Sequence, residues 1–419
     1  MASSSVGYIA LVRRNATFRR LWYGQIVSQL GDWLDSIAIF TLVFALTGSA
    51  LAVSAVLLAE FLPPAIISPF AGILIDKLPR KLVMVLSDLV RAALVLLLLF
   101  VNDPGDIWLI YLVTGLKFAT SAFFEPARSA IIPNVVTREE LVAANGLSST
   151  TWSAMLAIGA ALGGLVAGTL GVQAAFIIDA GSFLLSAWLI GTTPVSETHH
   201  LSQPDGEPPA ATIEALGQGV RYLLTTRDII WYAAAKGMWN LGGGVLVLFT
   251  LFGQQVYPLG ENGAISIGLL YAARGIGTGI GPLLALAIWG GAVPVMRRAL
   301  GLSYFLSTAG YLLFSGTDVF LVALLLVMLA HMGGSVNWVY STALLQIEVP
   351  DALRGRIFSI EYALLMFVTA LSSYFTGLAS DAGLSLQWLA VALSLTFLLP
   401  GCVLTLVLWR SRGASNDTR

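Results

Sequence analysis

Again and again along its 419 residues the chain enters runs of about twenty or more residues that are apolar on every side, and few folds can hold such runs. A helix rises about 1.5 Å per residue, so roughly 20 apolar residues cross the ~30 Å hydrocarbon core of a bilayer. Inside that core every backbone N–H and C=O must find a partner within the protein, which leaves helices and closed barrels. Barrel strands alternate with a period of two over about ten residues, and these runs do not alternate. The expectation is therefore an all-α polytopic membrane protein. Its twelve spans fall at about 18–46, 51–75, 82–101, 107–127, 141–169, 172–193, 229–257, 263–289, 298–315, 319–347, 355–377 and 384–409. Composition agrees: 57% of residues are hydrophobic and 11% charged, far from the balance of a water-soluble domain.

A formal charge of −1 supplies no basic surface for nucleic acid. The one cysteine, Cys402, excludes an internal disulfide and a cysteine metal site. The N-terminal stretch lacks a signal peptide's apolar core and cleavage site, so span 1 is expected to stay in the mature chain.

The cations set the direction of threading. Arg13, Arg14, Arg19 and Arg20 precede span 1, and Lys77, Arg80 and Lys81 join spans 2 and 3. Later clusters fall on alternate loops up to Arg410, Arg412 and Arg419, whereas loops 102–106 and 257–262 hold no Lys or Arg. The expectation is a multi-pass protein of the cell's inner membrane with both termini cytoplasmic. Pro204, Pro208, Pro209, three acidic residues and His199-His200 break the series at its midpoint. The chain thus divides into a bundle at 1–193, a cytoplasmic linker at 194–228 with an amphipathic stretch from Ile213 to Leu224, and a bundle with a cytoplasmic tail at 229–419. The histidine pair reads as solvated, and no metal or other cofactor is expected. SPFAG at Ser68 pairs with GPLLA at Gly281, and SAIIPNVV at Ser129 with TALLQIEV at Thr342, at one common offset. Two pseudo-symmetric six-helix bundles around a cavity form a transporter architecture.

Several segments resemble the major facilitator superfamily. The loop GILIDKLPRK, Gly72 to Lys81, is similar to its signature between spans 2 and 3. Three blocks resemble the branch with macrolide-type drug exporters and the enterobactin exporter: FEPARSAIIPNVVTREELVAANGL from Phe124, IDAGSFLLSA from Ile178 and LRGRIFS from Leu353. The resemblance implies a cytoplasmic gate at Gly72, Asp76 and Arg80, with Glu125 and Arg128 placed in the same region. Pro79 stands where the signature has glycine, and the second-half copy AIWGGAVPVMRRAL has no carboxylate, which suggests that the working latch lies in the first half. GAALGG, from Gly159, is similar to the antiporter signature but has Ala160 in place of its proline, and Lys117 is the only basic residue of span 4.

Charge inside the membrane costs at least about 2.5–3.5 kcal/mol per group, so each buried charge needs a cavity, a partner or a proton. Asp32 lies roughly 20 Å along span 1, near mid-bilayer, and Asp35 shares its helical face. Both are candidates for proton coupling or for a cationic substrate group, against a structural bond to a neighbouring helix. Glu60 and Lys117 reach similar depth, and either Glu60 or Asp32 could neutralise Lys117. Asp88 and Arg91 read as a local pair, and Asp179 as structural. In the second half Arg274 needs an anion, and Glu361 is its expected partner; Lys236 is a further deep cation. His331 could relay a proton or simply pack. Trp33, Trp239, Asn240, Asn337 and Trp338 are candidates to line the cavity. GIGTGIG, from Gly275, lies inside a span without a preceding strand or a GK[ST] ending, so it is no phosphate loop. The expected function is a proton-coupled secondary exporter, an antiporter of hydrophobic or amphipathic small molecules such as drugs, acting as a monomer in the lipid bilayer. The alternative is a siderophore, lipid or metabolite carrier with different coupling. No nucleophile, metal cluster or cofactor motif converges to make an enzyme.

Overall fold

A computed structural model describes residues 8–75, 78–137, 140–195, 213–226 and 228–410. The helices are α1 (Tyr8–Arg14), α2 (Ala16–Thr47), α3 (Ala50–Ile75), α4 (Arg80–Leu97), α5 (Ile107–Ile131), α6 (Leu141–Thr169), α7 (Val172–Gly191), α8 (Ile213–Thr225), α9 (Ile229–Trp239), α10 (Val245–Gln255), α11 (Ala264–Trp289), α12 (Val293–Phe314), α13 (Phe320–Glu348), α14 (Asp351–Asp381) and α15 (Leu386–Arg410). Local chemistry sets their ends. Asn15 begins α2 by accepting the Phe18 N–H at 2.9 Å, while its amide nitrogen donates to the Val135 carbonyl at 2.6 Å. Gly48, at φ 62°, ends α2 in the left-handed conformation that glycine adopts without strain.

Among the described residues eleven stretches are long and apolar enough to cross a bilayer, with α9 and α10 counted as one. The ninth expected span, α12, is long enough at 22 residues but carries Arg297, Arg298, Ser303, Ser307 and Thr308, and it is not among the eleven. Large apolar side chains such as Phe100, Leu283, Ile288 and Leu399 are exposed over the outer faces, which suits lipid rather than water.

The seventh expected span, 229–257, is divided in the structure. α9 stops at Trp239, a 3₁₀ turn covers Asn240–Gly242, and α10 resumes at Val245. Gly242, Gly243 and Gly244 favour the break, and α14 repairs the hydrogen bonding it disturbs. Ser372 Oγ accepts from the Gly244 N–H at 2.9 Å and donates to the Leu241 carbonyl at 2.6 Å, while Thr369 Oγ1 donates to Asn240 Oδ1 at 2.7 Å.

Helices α2–α7 pack chiefly on one another, as do α9–α15, and the two sets meet along two seams, α3 with α14 and α6 with α11. The amphipathic α8 lies on α14, where Arg356 donates to Gln218 Oε1 at 2.6 Å. Close approach in the second seam depends on glycine: a Cβ on Gly268 would lie 2.8 Å from the Gly164 Cα, and one on Gly275 2.6 Å from the Ala157 nitrogen. Both seams are tight at the end where α2 turns into α3. There Gln254 donates across to the Thr41 carbonyl at 3.2 Å, Ser54 to the Ser373 carbonyl at 2.8 Å, and Asp381 of α14 caps the start of α3. Its carboxylate accepts from Ser49 Oγ at 2.5 Å, Ala50 N–H at 2.8 Å and Leu51 N–H at 3.3 Å. Toward the opposite end the sets part around a cavity of about 650 Å³, bounded by Ala65, Pro126 and Ser129 on one side and Lys236, Trp338 and Tyr362 on the other.

Replacing Asp381 with alanine leaves the first amides of α3 without their cap and is expected to lower stability by about 1 kcal/mol. Asp381→Asn, which keeps a side-chain acceptor, is expected to lose less. Thermal unfolding of the full chain in detergent measures both.

Candidate functional site

The midpoints of four helices bring together a charge cluster. α2 carries Asp32 and Asp35 three residues apart, so both face the same way, and both reach the Lys117 ammonium of α5: Asp32 Oδ1 at 3.0 Å and Asp35 Oδ1 at 2.9 Å. Asp179 of α7 adds Oδ2 at 3.7 Å. Its approach requires Gly31, because a Cβ there would overlap Asp179 and Ser182. On α4 Arg91 is paired with Asp88, one turn away, and stands 3.8 Å from Asp32 Oδ2. The rings of Phe124 and Phe183, 4.4 and 4.5 Å from its guanidinium carbon, hold that group in place.

Asp35, Asp88 and Asp179 are fully buried, Lys117 is 1% exposed and Arg91 2%. The Asp32 side chain alone is partly open, at 28%. Four carboxylates thus face two cations, and one oxygen each of Asp35, Asp88 and Asp179 lacks a hydrogen-bond partner. Glu60, half-buried on α3, stands within electrostatic reach of Lys117 and Arg274 but pairs with neither.

A second pair sits in the wall of the 650 Å³ cavity. Lys236 of α9 meets Glu361 of α14 at 3.0 Å, donates to Thr342 Oγ1 at 2.8 Å, and has its ammonium 4.5 Å from the Trp338 ring centre. The expected Arg274–Glu361 pair is therefore corrected: Glu361 faces α9, whereas Arg274 of α11 turns toward α2. Its guanidinium lies 6.0 Å from the Trp33 ring and 5.8 Å from that of Tyr271. Among the described residues no carboxylate comes within ion-pair distance of Arg274.

The remaining candidates scatter. His331 is buried in an aromatic cluster, sharing a 2.7 Å hydrogen bond with the Tyr311 hydroxyl and lying edge-on to Trp239 at 5.4 Å. Trp239 donates to Ser307 Oγ at 3.1 Å, and Asn337 donates to the Ala235 carbonyl at 3.3 Å from a buried position. Asn240 belongs to the helix break, Trp33 packs on Trp152 and Tyr271, and Trp338 is the one of the five among the residues bounding the cavity.

Of the expected gate, Asp76 lies outside the described residues, and Gly72 falls within the last turn of α3. Arg80 opens α4 and donates to the Ala130 carbonyl at 2.8 Å. Glu125 and Arg128 pair within α5 at 2.7 Å, beside Pro126 and Ser129 of the cavity wall. The second-half copy, which has no carboxylate of its own, borrows them: Arg297 reaches Glu348 at 2.9 Å and Asp228 at 3.6 Å. From the sequence Asp179 reads as structural, Lys236 is given no partner and Asp381 is not singled out. A buried lysine on a span requires an anion, which is the signal that could have linked Lys236 with Glu361. Among the described residues no group of three or more His, Cys, Asp or Glu is placed to hold a metal.

Breaking a buried pair leaves an uncompensated charge, whereas removing both partners does not. Lys236→Met alone is expected to destabilise by about 3–5 kcal/mol, and Lys236→Met with Glu361→Gln by much less. Unfolding of the four proteins of this cycle in detergent measures the coupling.

The Major Facilitator Superfamily profile matches residues 21–364. The chain is 28% identical to the uncharacterized MFS-type transporter YfiS of Bacillus subtilis strain 168, over 95% of this chain and 93% of that one. It is 28% identical to the multidrug efflux pump Tap of Mycolicibacterium fortuitum, over 91% and 93%. In fold it is similar to a crystal structure of a bacterial homolog of the human lysosomal transporter Spinster, inward-facing and unoccupied, with a TM-score of 0.72 at 13% identity over 94% and 96% of the two chains. A polytopic helical chain, two helix sets meeting at two seams, buried charges at mid-depth and a profile match over most of its length have one common explanation: the protein belongs to the Major Facilitator Superfamily, a family of membrane transporters and not of enzymes.

Proposed function

We propose that the protein is a proton-coupled exporter of hydrophobic or amphipathic small molecules, working by alternating access between bundles at 1–193 and 229–419. In this reading α12 is the ninth span and brings the total to twelve, the linker 194–228 and both termini are cytoplasmic, and the molecule works as a monomer in the inner membrane. The cavity then opens to the cytoplasm and the seams close the outer side, which is where an exporter would take up its load. The repeat offset that lays span 2 on span 8 also lays span 5 on span 11, so the two seams, 2 with 11 and 5 with 8, exchange under it. That supports the two-bundle reading. The efflux function named for Tap, and the likeness of three sequence blocks to macrolide-type and enterobactin exporters, support export.

One observation carries the coupling: four carboxylates and two cations are gathered at mid-membrane, and one carboxylate, Asp32, is partly open. A buried surplus of anions calls for mobile cations, and protons or a positively charged substrate group can meet that need. Arg274 favours the second reading, a siderophore, lipid or metabolite carrier with different coupling, because a guanidinium without a carboxylate suits a ligand's anionic group.

Efflux of a cationic dye from proteoliposomes under an imposed pH gradient tests the proposal. Gradient-driven movement is expected, with a loss of about tenfold or more in Asp32→Asn, the scale of one group's contribution to proton transfer or charge pairing. Movement indifferent to the gradient would instead mark a facilitator, and no movement of any candidate would remove the transport reading.

A further inference from the structure

We propose that Asp35 and Asp179 form a carboxyl pair holding one proton between them beside Lys117, and that loss of this proton frees Asp32 to bind the cationic group of an amphipathic substrate. The inference rests on the proton-coupled reading and assigns its proton to a place, one half of which, on α7, looks purely structural in sequence.

The argument is one of charge and of unoccupied oxygens. Around the Lys117 ammonium stand Asp32 at 3.0 Å, Asp35 at 2.9 Å and Asp179 at 3.7 Å. The other charged groups near the pair are Glu60 on α3, Asp88 and Arg91 on α4, and Arg274 across the seam on α11. Asp88 occupies Arg91, which reaches only Asp32 of the three at 3.8 Å, and Arg274 turns to aromatic rings, so Lys117 alone answers Asp35 and Asp179. The Asp32 side chain is 28% exposed and so is not confined to the dry interior. Asp35 and Asp179 are both fully buried, and one ammonium cannot compensate two anions removed from water.

The oxygens say where the proton sits. Asp35 Oδ1 is taken by Lys117 and Asp179 Oδ1 accepts from Ser182 Oγ at 3.2 Å, while Oδ2 of each lacks a hydrogen-bond partner. The two carboxyl groups converge on the one Lys117 ammonium across the α2–α7 contact that Gly31 permits. A proton on one carboxyl, donated to the other, satisfies both, and two carboxyl groups sharing a site hold a proton in this way.

Lys117 then links proton to substrate. With the pair protonated it carries one negative charge, and Lys117 is shared between it and Asp32. When the O–H bond breaks and the proton leaves to the water that reaches Asp32, the pair becomes doubly negative and draws Lys117 inward. Asp32 is left to a cation arriving at its exposed face. Reprotonation from the other face returns Lys117 to Asp32 and expels that cation. Proton and substrate thus exchange without ever touching.

Infrared spectroscopy of the full chain in membranes, with ethidium as the cationic probe, tests this. At neutral pH the wild type should show the carbonyl band of a protonated buried carboxyl, removed by Asp179→Asn or Asp35→Asn and kept in Asp32→Asn. Ethidium affinity should rise with pH in the wild type, because protons oppose binding. In Asp179→Asn, fixed in the charge state of the protonated pair, it should be independent of pH and about tenfold weaker at high pH. Absence of the band in the wild type, its survival in both pair variants, or an unchanged pH dependence in both overturns the proposal. If one variant does not fold, the other and the wild-type band decide. Gradient-driven efflux with the band untouched would remove the pair and leave the exporter; a band removed as expected in a protein without gradient-driven efflux would remove the exporter and leave the pair.

Discussion

Lys117 is the group on which the first half of the structure turns. A single ammonium, 1% exposed at mid-membrane, is approached from α2 by two carboxylates and from α7 by a third. In a medium that solvates charge poorly, a contact of this kind fixes the helices that bring it about, because parting them would strand its members. The tight α2–α7 packing, the requirement for Gly31 and the aromatic walls that hold Arg91 beside the cluster accompany it. Yet the cluster is unbalanced, with four carboxylates facing two cations.

The second half meets the same cost differently. Lys236 has one carboxylate, one hydroxyl and one ring face, a balanced set in the wall of the cavity, and Arg297 has Glu348 and Asp228. Its departure from regularity lies in the backbone, where α9 gives way to α10 and the hydroxyls of Thr369 and Ser372 on α14 take up the polar groups so released. α14 also closes the tight end of one seam through Asp381. One helix therefore repairs its own half and holds the other, which ties the geometry of the break to that of the seam.

The two seams divide the work. Where Gly164 and Gly268 face each other, backbones meet with no side chain between them, and the contact can shift without side chains having to repack. Where α3 meets α14, hydrogen bonds at Ser54 and Asp381 give the closed end a definite geometry. Around the cavity neither device is present among the described residues, and the halves stand apart.

Much of the fold was legible in the sequence, because apolar length and the lack of period-two alternation reflect what a bilayer demands of each segment by itself. α6 runs over the expected residues 141–169, and most other helices end within a few residues of the expected bounds. The charges at mid-depth were legible for the same reason, since depth is counted along one helix. Their partners were not. That Glu361 belongs to Lys236, that Asp179 joins Asp32 and Asp35 at Lys117, that His331 is enclosed by aromatic rings and that Asp381 caps a helix of the other half depend on how each helix is rotated about its axis and which neighbour it meets. The chain alone determined that it must span a membrane and that charges must lie within it; packing in three dimensions decided which charges meet, because rotation and contact belong to pairs of helices and not to any one of them.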